Sequence, residues 1–364
     1  MATTSITINH DVTSQCPLKA SDTSRLALRK VITFLEGLSG GAYKGTDFTT
    51  SQDPATGTIT LSGVGGTAAT GSVALSGVGG TAASGTVTLG GGAGDVTIVT
   101  DGTSVGPVAF NTSDAQTATD CITALNANGT FAAKATATSG GAGIVLITWD
   151  TKGTVGNSKT LTASRSAGTA TASGATLASG AQGSVGITLN GTLVTTDTTN
   201  LSDTAAATAC AASIEANGTL GPLVAAVGST TNVNLTWGAK GTAGNAIALS
   251  STSATGTATS SAATLENGAQ GVVEVTVGTA DPVVTNTTNL TDTASATAIA
   301  AAINADGDAS VFVAASASGA VVTLTATVSG PEGNAIGLFT ITDTGTATVS
   351  AATLAGGSSL SFTL

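Results

Sequence analysis

Ser202-Asp203-Thr204-Ala205-Ala206-Ala207-Thr208-Ala209-Cys210-Ala211-Ala212-Ser213-Ile214-Glu215-Ala216-Asn217-Gly218 is the middle copy of a pattern that appears three times in this chain. The other copies run from Ser113 to Gly129 and from Thr291 to Gly307, each displaced by 89 positions from the last. A Ser or Thr at the first position can accept a hydrogen bond from the orphan amides of a first helical turn, and the Asp beside it suits the positive end of the helix dipole. The glycine after the last periodic residue predicts a stop in left-handed backbone. Between these ends apolar residues recur at helical spacing: Ala118, Cys121, Ile122 and Leu125, then Ala207, Cys210, Ala211 and Ile214, then Ala296, Ile299, Ala300 and Ile303. Each copy reads as a short helix whose narrow stripe lies on a sheet.

Around each helix the same order of elements returns. Two strands precede it, joined at Asp101-Gly102-Thr103 in the first copy and Asn190-Gly191-Thr192 in the second, residues that favour a two-residue hairpin; the third has Val277-Gly278-Thr279, shifted by one. Further strands follow, interrupted by a turn ending in Gly-Asn: Gly153 to Asn157, Gly241 to Asn245 and Gly330 to Asn334. The fold class is therefore α+β and β-rich, with three tandem small domains over 91–183, 184–271 and 272–364, each with one helix on a mainly antiparallel sheet.

Residues 57–90 carry a shorter repeat, with Gly57, Gly71 and Gly85 at a period of 14. Each unit holds one alternating strand and one Gly-rich turn, which predicts a strand-turn linker or stalk. These turns lack the Gly-Lys-Thr/Ser ending and following helix of a phosphate-binding loop. Residues 1–56 form an N-terminal arm with the most strongly amphipathic helix of the sequence. Ser21 or Asp22 caps it, Leu28, Val31, Ile32, Leu35 and Leu38 make its apolar face, and Gly40-Gly41 ends it. Either it covers the edge of the first repeat or it packs against a copy of itself or another protein.

Composition narrows the function classes. Hydrophobic residues make up 41% of the 364 and are spread through the chain, which argues against disorder. Only 3% of residues are aromatic, so small aliphatic side chains must fill the cores. A net charge of −11 disfavours nucleic acid. Half of the ten basic residues lie in the first 44 positions and none follows Lys240, so the two ends face different surroundings. No apolar run is long enough to span a membrane, and Met1 to His10 does not read as a secretory signal, so synthesis in the cytoplasm is expected. Cys16, Cys121 and Cys210 make no disulfide framework. Cys121 and Cys210 share their helix position with Ile299 and read as small buried hydrophobes, whereas Cys16 is unassigned.

No catalytic constellation emerges, and no cofactor or metal is implied. His10 is the only histidine, which leaves no Ser-His-Asp arrangement to build. Asp306 and Asp308 read as solvated surface. Asp114, Asp203 and Asp292 recur at one site, and the helix start accounts for them without a ligand. Trp149 and Trp237 are equivalent, with Lys152 and Lys240 following at equal spacing, so these four are a candidate ligand or partner spot. The alternative reading is a sheet-edge aromatic beside a lysine stem.

The arm sequence Ser24-Arg-Leu-Ala-Leu-Arg-Lys-Val-Ile-Thr-Phe-Leu-Glu-Gly-Leu-Ser-Gly-Gly-Ala42, with units such as Asp292 to Ala305 and Gly330-Pro-Glu-Gly-Asn-Ala-Ile336, resembles virion structural proteins of tailed bacteriophages. Such domains occur in capsid decoration, head-fibre, sheath and tail-associated proteins. The resemblance implies a non-enzymatic component of the virion, foremost a capsid decoration or head-fibre protein. Arg25, Leu28, Arg29, Lys30, Ile32 and Leu35 would anchor it to the major capsid protein or to sister copies, as a trimer, with the acidic repeats outward. The alternative is a tail-associated or adhesin-type protein whose repeats hold host-surface glycans near Trp149 and Trp237.

Overall fold

The computed structural model describes residues 52–358. The arm residues Arg25, Leu28, Arg29, Lys30, Ile32 and Leu35, with His10 and Cys16, lie outside the described residues. The chain is β-rich α+β, and every strand pairing among the described residues is antiparallel.

Three nine-residue strands come first: β1 (Pro54–Ser62), β2 (Ala68–Ser76) and β3 (Ala82–Gly90). They are the three 14-residue units expected to form a linker or stalk. Instead each is a central strand of a different large repeat, and the order is reversed: β3 enters the first repeat, β2 the second and β1 the third. Alternation makes this work, because every second side chain faces inward. Ala83, Val87 and Leu89 are buried in one repeat, Ala69, Val73 and Leu75 in the next, Ala55, Ile59 and Leu61 in the last. Burying a Val or Leu side chain stabilises by about 1.5–3 kcal/mol, so each repeat draws several kcal/mol from a strand outside its own span.

In the first repeat β4 (Val96–Thr100) and β5 (Thr103–Val108) flank Asp101-Gly102, both with positive φ, as the hairpin residues predict. Helix α1 (Asp114–Ala127) follows, then β6 (Ala135–Gly141), β7 (Ile144–Lys152), β8 (Leu161–Arg165) and β9 (Thr169–Ala172). They form two sheets, β6-β7-β3-β9 and β5-β4-β8, with Cys121, Leu125, Phe131, Ile147 and Leu161 packed in the core. The second repeat copies this plan with β10 (Ser184–Leu189), β11 (Thr192–Asp197), α2 (Asp203–Glu215), β12 (Val224–Ser229), β13 (Asn232–Lys240), β14 (Leu249–Ser253) and β15 (Thr257–Ser260). Its sheets are β12-β13-β2-β15 and β11-β10-β14. These two repeats make one compact unit, Thr67–Ala269. Within it, Asn200 Oδ1 accepts the Lys152 amide at 2.7 Å while the Asn200 amide donates to Gly79 O at 3.0 Å, which ties the repeats together.

The other unit combines the third repeat with β1. It contains β16 (Val272–Val277), β17 (Val283–Asn286), α3 (Asp292–Ala305), β18 (Val313–Ser318), β19 (Val321–Ser329), β20 (Leu338–Thr342) and β21 (Thr346–Val349). Its sheets are β18-β19-β1-β21 and β17-β16-β20.

The three helices start as their sequences predict: Ser113, Ser202 and Thr291 are N-caps accepting from Gln116, Ala205 and Ala294. They do not stop as predicted. Gly129, Gly218 and Gly307 do not take left-handed backbone, and a side chain at any of them would meet nothing within 4 Å. The residue before each glycine ends the helix instead. Asn128, Asn217 and Asp306 each use a side-chain oxygen to accept two amides of the next turn, a local alternative that competes with further helix.

Candidate functional site

The residues that recur across the repeats are the natural place to look for a site, and the structure gives most of them a partner inside the fold. Asp203 receives the amides of Gly77 at 3.0 Å and Val78 at 3.1 Å. Asp292 receives those of Gly63 at 3.0 Å and Val64 at 3.2 Å. One carboxylate thus serves a helix start and the Gly-rich turn after the inserted strand. Thr198 and Thr287 complete that clasp, each donating its hydroxyl to Val78 O or Val64 O at 2.6 Å.

The first repeat departs from this pattern. The turn after β3 is Gly91-Gly92-Ala93-Gly94, and Asp114 receives only the Gly92 amide there, at 3.3 Å. Its other oxygen takes Arg165 Nη1 at 2.7 Å. The Arg165 side chain is fully buried, also donates to the carbonyls of Gly90 and Gly94, and lies 5.4 Å from the Phe110 ring. A charge taken out of water must be paired, and Asp114 supplies the pairing.

The period-14 glycines have a steric cause. A Cβ on Gly57 would come 2.5 Å from Leu354 Cδ2, on Gly71 2.7 Å from Leu265 Cδ2, and on Gly85 2.7 Å from Leu161 Cδ2. The inserted strand needs glycine there so that a leucine can lie against its backbone. The Gly-Asn turns are also structural: Asn157, Asn245 and Asn334 each donate to and accept from the backbone of Gly180, Gly268 and Gly357 respectively, at 2.8–2.9 Å.

Trp149 is 7% exposed and belongs to the first core, so it offers no face on which a sugar ring could stack. The lysine over its ring is Lys159, at 5.0 Å, not Lys152, whose side chain is exposed. Lys159 and Lys134 also lie 3.5 and 3.7 Å from Asp101. Trp237 is half-buried against the second core and Lys240 is exposed, while Ala326 fills the equivalent buried place in the third repeat. The four residues of the sequence-based spot therefore divide into two tryptophans that pack against the cores and two lysines that are exposed.

Burial pushes the Cys121 thiol up to about 11, with Asp120 adding to the rise and Arg165 opposing it. Burial raises Cys210 as well, against a hydrogen bond with Thr196. A protonated thiol is a poor nucleophile, in keeping with two small core side chains. Asp306, read from sequence as solvated surface, caps the turn Ala309–Phe312. Among the described residues no group of three His, Cys, Asp or Glu side chains is placed to hold a metal ion, and no helix is long and apolar enough to cross a membrane.

Sequence reasoning passed over a polar concavity of about 330 Å³ on the second repeat, lined by Thr70, Ser72, Asn234, Thr236, Glu266 and Asn267 among others. Its walls come from β2, β13 and the segment from Ser261 to Asn267, so it depends on the insertion of β2, and no local pattern announces it.

Neither a family description nor a curated protein sequence matches the chain. Among solved structures, the flagellar cap protein FliD from Helicobacter pylori aligns over 82% of this chain and 97% of that chain, at 10% identity and a TM-score of 0.14. A score that low carries no argument about fold or role.

Proposed function

We propose that this chain is a non-enzymatic structural component of a bacteriophage particle, foremost a capsid decoration or head-fibre protein, made in the host cytoplasm. The observation that supports it is the insertion of β1, β2 and β3 into the three repeats, each clasped between two strands. A strand held by two antiparallel ladders leaves only when both are broken, which suits an appendage exposed to shear outside a cell. The recurring Asp, Thr, Asn and Gly residues serve the clasp, so repetition here extends a surface and does not multiply a site. Residues 1–44 act as the anchor to the major capsid protein or to sister copies, with a trimer as the closed assembly.

Deleting residues 1–44 tests the anchor. The shortened chain is expected to fold and to be lost from purified particles; its retention on particles would sink the assignment. The glycan-binding reading moves from Trp149 to the polar concavity beside Asn234 and Glu266. Loss of glycan-array binding in Asn234→Ala with Glu266→Ala, and its survival in Trp149→Phe, would favour that reading.

A further inference from the structure

One exposed face sets the third repeat apart from the other two. On the outer side of β17-β16-β20, Val284, Phe339 and Ile341 are 61%, 60% and 51% exposed. Glu274 sits between Val284 and Ile341 in the register, and Phe339 pairs with the neighbouring Thr276. The same ladder positions in the second repeat are Thr195, Ser250 and Thr252, and on β8 of the first they are Thr162 and Ser164. Isolated exposed apolar residues, such as Leu193 at 58% on the matching face of the second repeat, need no explanation, but three large ones clustered on one face mark a docking surface.

We propose that this face takes the amphipathic segment of residues 22–39 of this chain. It rests on the reading of residues 1–44 as an assembly arm and names the surface on which that arm's apolar side settles. Charge selects the occupant. No Lys or Arg follows Lys240, so the unit carrying the face has acidic residues and no basic ones after its inserted strand, with Glu274 at the centre of the patch. The same face of a second copy would set Glu274 against Glu274. Residues 22–39 instead bring Arg25, Arg29 and Lys30 beside Leu28, Ile32 and Leu35, an apolar stripe edged with the complementary charge. Gln52 lies beside Gly330 in this same unit, and the 12 residues from 40 to 51 reach up to about 40 Å when extended.

The test replaces Phe339 by benzoylphenylalanine in the full chain, irradiates the purified protein and maps the crosslinked peptides by mass spectrometry. Crosslinks to residues 22–39 are expected. Glu274→Lys should lower their yield about tenfold, and adding Arg25→Glu, Arg29→Glu and Lys30→Glu should restore it. Restoration also shows that the Glu274→Lys chain remains folded. Crosslinks to the same face of a second copy, to any other segment, or to none would overturn the proposal, as would a yield indifferent to both charge reversals. Particle association is read separately, so a chain that crosslinks as expected and is absent from particles defeats the virion reading alone.

Discussion

The carboxylate of Asp292 accepts the backbone amide of Gly63 at 3.0 Å across a sequence separation of 229 residues. Asp203 and Gly77 repeat the contact at the same distance, separated by 126 residues. A helix start and a turn remote in sequence are thus joined by one side chain. Asp292→Ala and Asp203→Ala should each destabilise their own unit by about 1–2 kcal/mol, because two amides and a helix end lose their acceptor. Asn at either position should recover part of the loss. Urea denaturation of the four variants checks both statements.

Asp114 carries a larger burden. Its substitution by Asn leaves the buried Arg165 guanidinium without a counter-charge, and breaking such a pair costs about 3–5 kcal/mol. Adding Arg165→Met should return most of that stability, since an apolar side chain of similar length needs no partner. Equal losses for Asp114→Asn and Asp203→Asn in denaturation would contradict the distinction.

The close approach of Gly57 to Leu354 predicts a coupled pair. Gly57→Ala should cost about 1–3 kcal/mol by overpacking. In Leu354→Ala chains the same change should cost little, because the conflicting methyl is gone. A double-mutant cycle with no coupling energy would remove the steric account of the 14-residue glycine period.

The buried thiol of Cys121 gives the chain an alkaline liability. The native state holds its proton up to about pH 11, whereas an unfolded thiol releases it near 9.0, so the folded state binds more protons between those values. Stability is then complete below about pH 9 and falls as pH rises through 11, by about 3 kcal/mol in all. Cys121→Ala should flatten that decline in denaturation midpoints measured from pH 8 to 11. A decline of equal depth in the variant would assign it to other groups.

Much of this was legible in the residues. The three helices, their Ser and Thr caps, the Asp-Gly and Asn-Gly hairpins and the β-rich α+β class all follow from local rules, and local rules act within a few residues. The alternation of β1, β2 and β3 was legible too, but not their destinations. Nothing near Val73 says that it pairs with Val233, because a strand's partner is chosen by an open place in a distant sheet. One signal was available: three short units and three large repeats are equal in number. Trp149 misled because a tryptophan followed by a lysine looks the same in sequence whether the ring faces solvent or core. The helix ends misled because Asn or Asp before glycine admits two ways to stop, and the side chain prevailed.

Hydrogen exchange across residues 54–90 of the intact chain tests most directly whether those residues complete the repeats. The amides of Ile59, Val73 and Val87 lie within ladders and should be protected as strongly as those of Leu324, Leu235 and Ile147 in the neighbouring strands. Exchange over 54–90 at the rate of an unstructured linker, with the repeats themselves protected, would contradict the account.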